Sequence, residues 1–399
     1  MSRFRSSFLL TLAFLFSAGS VLAGNIAVGT CKPKLPSFST ISAAVAAVPA
    51  GSTVMVCSGT YPEQVTISQP LTLEGIADGD SGQVVITVPA GGLSINAADL
   101  NGAAVAAQVL VTAGPVNITN ITIDGALNGL DGSAEMAGVL YASGSSGVIK
   151  QVTTRNQFDS SHSQSEGLGV GIWALNANAA SESVTIQGCS VRDFDNVGIF
   201  IDGNITATVK ANSVNGTSGT SAVFFVFGIA VLSGGTITNN TIIGPDADLF
   251  QPGQGITVQV PSVIVSDNVL VNWGTAILDF NGATYTNNTI LNTTDAIELA
   301  PGATANSNTI TETLVGIDFG CQAETVSHNT INDAEFGIRS VPSSFTSSDT
   351  FLNVQTIRSG NCASDASAAL SRATETVPIT GTDPAAHTPK KKTLTYMKP

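Results

Sequence analysis

Short runs that alternate apolar with polar residues fill most of this chain; Ile229-Ala230-Val231 and Ile256-Thr257-Val258 are typical. A period of two marks strands with one buried face, and the Gly, Asn, Asp, Ser and Pro clusters between runs mark turns. From Ile172 to Asp349 the runs recur in a fixed order: a Gly-Ile-type strand, a gap, then an Asn-Thr-Ile-type strand. Gly228-Ile229 is followed by Asn240-Thr241-Ile242, Ala276-Ile277 by Asn288-Thr289-Ile290, Ala296-Ile297 by Asn308-Thr309-Ile310, and Gly316-Ile317 by Asn329-Thr330-Ile331. Asn268, Asn288, Asn308 and Asn329 lie 20, 20 and 21 residues apart. Strand chemistry at such a period predicts a solenoid.

One period accommodates three short strands, each stacked about 4.8 Å from its copy in the next coil. Two inward rows follow: Ile242, Leu270, Ile290, Ile310 and Ile331, and Ile229, Ile256, Ile277, Ile297 and Ile317. Aligned copies put Cys189, Asn212, Asn240, Asn268, Asn288, Asn308, Asn329 and Asp349 in one column. Its asparagines are expected to occupy turns, where Asn tolerates unusual backbone angles, and to hydrogen-bond from coil to coil. Cys189 is thus expected to be a buried thiol. Thr241, Thr289, Thr309 and Thr330, with Ser190 and Ser213, form an outward row of hydroxyls. Strict alternation turns Asp279 inward, which predicts a local shift of register.

Arg3 and Arg5, the apolar run Phe8 to Phe16 and Val21-Leu22-Ala23 read as a secretory signal peptide cleaved after Ala23. A secreted or periplasmic protein without a membrane span is expected. Five cysteines suit that compartment, with Cys31–Cys57 and Cys321–Cys362 as the expected disulfides. The net charge is −14, and between Pro36 and Ile338 the only cations are Lys150, Arg155, Arg192 and Lys210. Nucleic acid needs many Lys or Arg contacts to phosphate and is excluded as a partner. Three scattered histidines predict no metal site and no cofactor; calcium stays open as a bridging ion, without a motif.

The segment Phe38 to Val48 reads as a short alanine-rich helix before Pro49-Ala50-Gly51. Thr53-Val54-Met55-Val56, Gly59-Thr60-Tyr61-Pro62-Glu63 and Leu71-Thr72-Leu73-Glu74-Gly75 follow. Such a helix would cover the open end of a solenoid. The string from Ala43 to Gly75 resembles the opening of right-handed parallel β-helix proteins of the pectin-lyase-like superfamily. The resemblance implies an all-β, right-handed, single-stranded parallel β-helix with an N-terminal capping helix. It implies no one activity, because the superfamily includes lyases, hydrolases, esterases, epimerases, adhesins and inactive members. Pectin methylesterases share Gly59-x-Tyr61-x-Glu63, but their further catalytic strings have no counterpart here. The expected organisation is a signal peptide over 1–23, a cap over 24–52, the β-helix over 53–362 and a disordered Ser/Ala/Thr/Pro-rich tail over 363–399.

The coils between about residues 150 and 255 are longer than the rest. Their extra residues, 157–170, 217–227 and 245–254, fall at one turn and are expected to wall a cleft on one flank. Arg155 and Arg192 align there, with Asp159, His162, Glu166, Asp193 and Asp195 nearby. Acids, bases and cations in that arrangement are candidates for catalysis on a sugar; the alternative is charge pairing within loops. Trp173, Phe200, Phe250 and Trp273 are candidate stacking faces for sugar rings, against loop packing. Glu298, Asp318 and Arg339 stack in successive coils as a third candidate. The expected protein is a monomer that binds polysaccharide or cell-envelope glycan along this flank. Rival readings are a carbohydrate-active lyase, hydrolase, esterase or epimerase, and a structural or adhesive solenoid.

Overall fold

A computed structural model of the chain describes residues 23–77, 82–130, 134–158, 169–216, 226–245, 253–320, 325–341 and 347–359. Most of the signal segment and the expected tail lie outside these residues, as do Asp159, His162, Glu166, Phe250, Cys321 and Cys362. The described chain winds as a right-handed parallel β-helix. One face is a 13-stranded sheet that begins at Ser37–Phe38, Asn25–Val28 and Ser52–Cys57 and ends at Thr325–Ser327. The other two faces run together into a 20-stranded sheet.

Both predicted isoleucine rows are in register. Ile242, Leu270, Ile290, Ile310 and Ile331 pair in sequence along one row, and Ile229, Ile256, Ile277, Ile297 and Ile317 along the other. All ten are fully buried. The core is therefore a tube of stacked aliphatic side chains, and its stabilisation grows coil by coil.

Three short strands per coil describe the early coils only. From Val269 onward the second and third strands fuse into Val269–Asp279, Thr289–Glu298, Thr309–Asp318, Thr330–Arg339 and Thr350–Ser359. One left-handed residue bends each: Asn272, Asn292, Glu312, Asp333 and Asn353, with φ from 52° to 63°. Without an insertion at that corner the chain can turn within a single residue. In earlier coils the insertions separate the same two strands, as at Thr153–Arg155 and Gly169–Asn176.

The ladder runs as aligned from Cys189 to Asp349. In each step the backbone N–H and the side-chain Nδ2–H of one asparagine both donate to Oδ1 of the next, at 2.9–3.1 Å between Asn212 and Asn329. The unusual backbone angle, however, belongs to the preceding residue. Gly188, Ala211, Asn239, Asp267, Asn287, Ser307 and His328 take φ of 55° to 63°. In the Asn-Asn doublets the first residue makes the turn and the second carries the ladder.

No register shift occurs at Asp279, which pairs with Val258 and stays inward and buried. It ends its strand, so its carboxylate accepts from the N–H groups of Asn281, Gly282 and Ala300 at 3.0–3.2 Å. An inward carboxylate is tolerated because it satisfies turn amides that would otherwise be unpaired.

The predicted capping helix is Ile41–Ala47, with Thr40 Oγ1 accepting from Ala43 N–H. The Glu63 carboxylate accepts from Ile41 N–H and Ser42 N–H, both at 2.8 Å. Gln69 Nε2 donates to the carbonyls of Val45 and Val48 at the other end. Glu63 of the Gly-x-Tyr-x-Glu string is thus a structural clamp, and Tyr61 donates its hydroxyl to the Cys57 carbonyl at 2.7 Å. Cys31 and Cys57 form the expected disulfide.

Candidate functional site

The Gly-Ile strands present one face to the bore and the other outward. Along that outer face a single column runs in register through the coils. Leu110, Leu140, Trp173, Phe200 and Ala230 form its first half. Thr257, Leu278, Glu298, Asp318 and Arg339 continue it. The aromatic pair and the acid–arginine stack, separate candidates in the sequence, therefore lie on one face. Seven strand spacings separate Trp173 from Arg339, roughly 30–35 Å.

Trp173 and Phe200 stack as expected, with centroids 5.2 Å apart and rings inclined by 26°. They point away from the bore but are only 2% and 7% exposed. They belong to a second apolar cluster outside the tube, with Leu110, Leu140, Leu175 and Phe227, against which Ala97 and Leu100 pack. An open stacking platform is thus corrected to a covered one. Periodicity places a side chain on a face but does not show what a distant loop lays over it.

Trp273 is not on the outer face. It is fully buried in the bore, its Nε1 donating to the Ile242 carbonyl at 3.1 Å. In the coils beyond, the same inward position holds Thr293, Thr313 and Ala334. The indole fits because glycines surround it: a Cβ added at Gly244 would lie 2.7 Å from Trp273 Cδ2, and one at Gly253 3.1 Å from Cε3. A sugar-stacking role for Trp273 is therefore corrected to core packing.

Arg155 donates from Nε to Asp124 Oδ2 at 2.8 Å, and Asn156 Nδ2 donates to Asp124 Oδ1 at 2.7 Å. Asp124 and Arg155 are register partners on adjacent strands. Burial alone would raise the Asp124 pKa, but hydrogen bonds from Asn156, the Ala126 amide and Arg155 outweigh it and hold the carboxyl below its ordinary range. Asp124 was not among the sequence candidates, although aligning Ile123-Asp124 with Thr154-Arg155 would have found it. Arg192 pairs with its neighbour Asp193. Asp193 is a left-handed corner residue with φ 56°, in the position Asn156 holds one coil earlier. Asp195 is buried, and its amide donates to the Gln157 carbonyl at 3.1 Å. These contacts make charge-paired corners and draw Arg155 and Arg192 to different partners rather than to one centre.

The other half of the column is polar except at Leu278. Arg339 donates to Asp318 Oδ2 from Nη2 at 2.6 Å and from Nε at 3.0 Å, and its Nη2 lies 3.3 Å from Asp295 Oδ1. The Asp318 side chain is 9% exposed and that of Arg339 36%. Burial would lower the Arg339 pKa, but Asp318, Asp295 and Glu298 together raise it. Thr275 Oγ1 donates to Glu298 at 3.2 Å, and Thr257 Oγ1 to Gln254 at 2.6 Å. Gln254, Thr275 and Asp295 form the neighbouring register column. Among the described residues no group of three or more His, Cys, Asp or Glu could hold a metal ion.

No family model and no curated protein matches the chain. Solved structures do. A lacto-N-biosidase from Eubacterium ramulus superposes with a TM-score of 0.55 at 11% identity, covering 85% of this chain and 68% of that one. The Dettilon tailspike protein gives 0.47 at 17% identity, over 78% and 62%. A pectin methylesterase from Erwinia chrysanthemi gives 0.41 at 13% identity, over 66% and 81%. The likeness shows the fold, a right-handed parallel β-helix.

Proposed function

We propose that the protein is a secreted solenoid that binds a neutral or weakly charged polysaccharide lengthwise on the outer face of its Gly-Ile strands. The supporting observation is the polar strip of Gln254, Thr275, Asp295, Glu298, Asp318 and Arg339, held along the axis in two adjacent register columns. Its carboxylates, amide and hydroxyl accept or donate hydrogen bonds at a coil-to-coil spacing, which suits an extended polymer of hydroxylated rings. One arginine among three carboxylates leaves the strip acidic, which disfavours a polyanion. The Cys31–Cys57 disulfide supports an oxidising compartment. The flank expected between residues 155 and 255 thus moves along the same face to residues 254–339. A glycan array read with the wild type, Arg339→Gln and Asp295→Asn tests this. Both variants are expected to weaken binding about tenfold, roughly 1.4 kcal/mol. Unchanged affinity in both, or a wild type that binds no neutral glycan, would sink the reading.

A further inference from the structure

One described segment breaks the all-parallel rule. Ala97–Ala98 pairs antiparallel with the start of Ala104–Val111, and the connecting turn is closed by Asp99, whose Oδ1 accepts from Ala103 N–H at 2.6 Å and Asn101 N–H at 2.9 Å. Ala104–Val111 is a strand of the coil, paired in parallel with Glu135–Tyr141 and Val65–Ile67, whereas the arm 97–103 leaves the coil and lies on the outer face. Leu100 crosses the coils to Gly203, where an added Cβ would lie 3.1 Å from Leu100 Cδ1. Ala97 and Leu100 pack on the cluster that contains Trp173 and Phe200. In this cluster the indole Nε1–H of Trp173 is buried and has no hydrogen-bond partner among the described residues. A buried N–H without an acceptor costs about 1–3 kcal/mol, so an acceptor that reached it would be favoured.

The arm is held against carboxylates. Asp99 at its tip acts electrostatically on Glu135 and on Asp202, which stand at the edges of the strands it crosses. No lysine, arginine or histidine among the described residues forms an ion pair with any of the three. Burial first and Asp99 second push the Glu135 carboxyl up to about 7, and burial with Asp99 also raises Asp202. Glu135 is therefore neutral in mildly acidic solution and ionises near neutrality. The folded-state pKa is raised, so the arm's hold is strongest below the ordinary glutamate range and weakens as pH rises towards 7.

We propose that the arm 97–103 is a lid over a neutral-sugar subsite, in which the stacked Trp173–Phe200 pair receives the apolar face of one ring and Trp173 Nε1 donates to a ring hydroxyl. The proposal rests on the polysaccharide reading, because the subsite lies on the same face as the polar strip. Lid opening would lengthen one binding face rather than create a second. The bland alternative is a permanently closed outer core with an unpaired indole.

Acrylamide quenching of intrinsic fluorescence decides between them. The chain has two tryptophans, and Trp273 is fully buried in the bore, so quenching of the folded wild type reports on Trp173. The quenching constant is expected to rise about threefold between about pH 5 and about pH 8, with Asp99→Asn flattening the rise and Leu100→Ser already quenched at the lower pH. At the higher pH, soluble cellohexaose, xylohexaose or mannohexaose should restore protection, and Trp173→Phe, which keeps the stack but lacks the N–H, should bind that oligosaccharide several-fold more weakly. Quenching that does not change with pH, or opening without protection by any of the three, overturns the subsite. Failure of this inference alone would show as binding lost in Arg339→Gln but untouched in Trp173→Phe; loss of the polysaccharide reading would show as no glycan binding in any form.

Discussion

Asn329 donates both its backbone N–H, at 2.7 Å, and its Nδ2–H, at 2.9 Å, to a single oxygen of Asp349, and there the ladder ends. Asparagine is needed within the ladder because it accepts from one side and donates to the other. A carboxylate can only accept, so aspartate is suited to the last rung. At the opposite end Cys189 receives no amide of its own kind but donates its backbone N–H to Asn212 Oδ1 at 2.9 Å.

Substitution within the ladder should therefore cost more than substitution at its end. Asn288→Ala would remove the partner of Asn268 N–H and of the Val265 carbonyl in a fully buried site, and leave Asn268 Nδ2 only the Ile237 and Ser266 carbonyls. The expected loss is about 3–5 kcal/mol, against about 1–2 kcal/mol for Asp349→Ala. Denaturation midpoints, read with hydrogen exchange of the flanking coils, check the order. Equal losses would mean that the ladder contributes little beyond space filling.

Cys189 should be inert while the chain is folded. Burial pushes its thiol up to about 11, although backbone groups of Val152, Gln187 and Gln151 oppose the shift. Iodoacetamide near neutral pH is expected to label it only after unfolding. Cys189→Asn should add a rung, since an amide there would face the Ile149 carbonyl that the thiol now approaches at 3.6 Å. A gain of about 1 kcal/mol is expected; a lower midpoint would count against the added rung.

Trp273→Ala should open a cavity in the bore and cost about 3–5 kcal/mol. Gly244→Ala should destabilise for the converse reason, since its Cβ would meet the Asn272 carbonyl oxygen at 2.2 Å. Neither variant should alter glycan affinity in protein that remains folded, because the indole faces the bore. Selective loss of binding in folded Trp273→Phe would return this residue to the binding face.

Removing the cation from the polar strip should make stability pH-dependent. In Arg339→Met the carboxylates of Asp295, Glu298 and Asp318 would face one another without the guanidinium charge. Repulsion among them acts only while they are ionised, so acid that neutralises them relieves it. A deficit of about 1–2 kcal/mol at pH 7, discounted for partial exposure, should shrink on acidification. A deficit equal at both pH values would point to lost packing instead.

The periodic sequence by itself determined the solenoid, both isoleucine rows, the ladder from Cys189 to Asp349 and the in-register stack of Glu298, Asp318 and Arg339. These are consequences of stacking equal coils: once the period is known, residues one period apart must be neighbours. It also marked where the coils lengthen. The tertiary structure decided what lies across the coils and which corners close. The arm at Asp99 comes from outside the repeat and packs on the cluster that holds Trp173, a contact between distant segments that no period encodes. Trp273 turns inward because Gly244, Gly253 and other glycines on adjacent coils leave room for it. Asp279 stays inward because its carboxylate caps its own turn at Asn281 and Gly282 and also takes the Ala300 amide, which only folding brings near. The repeat sets neighbours along the axis, whereas lids, corners and caps depend on segments that break it.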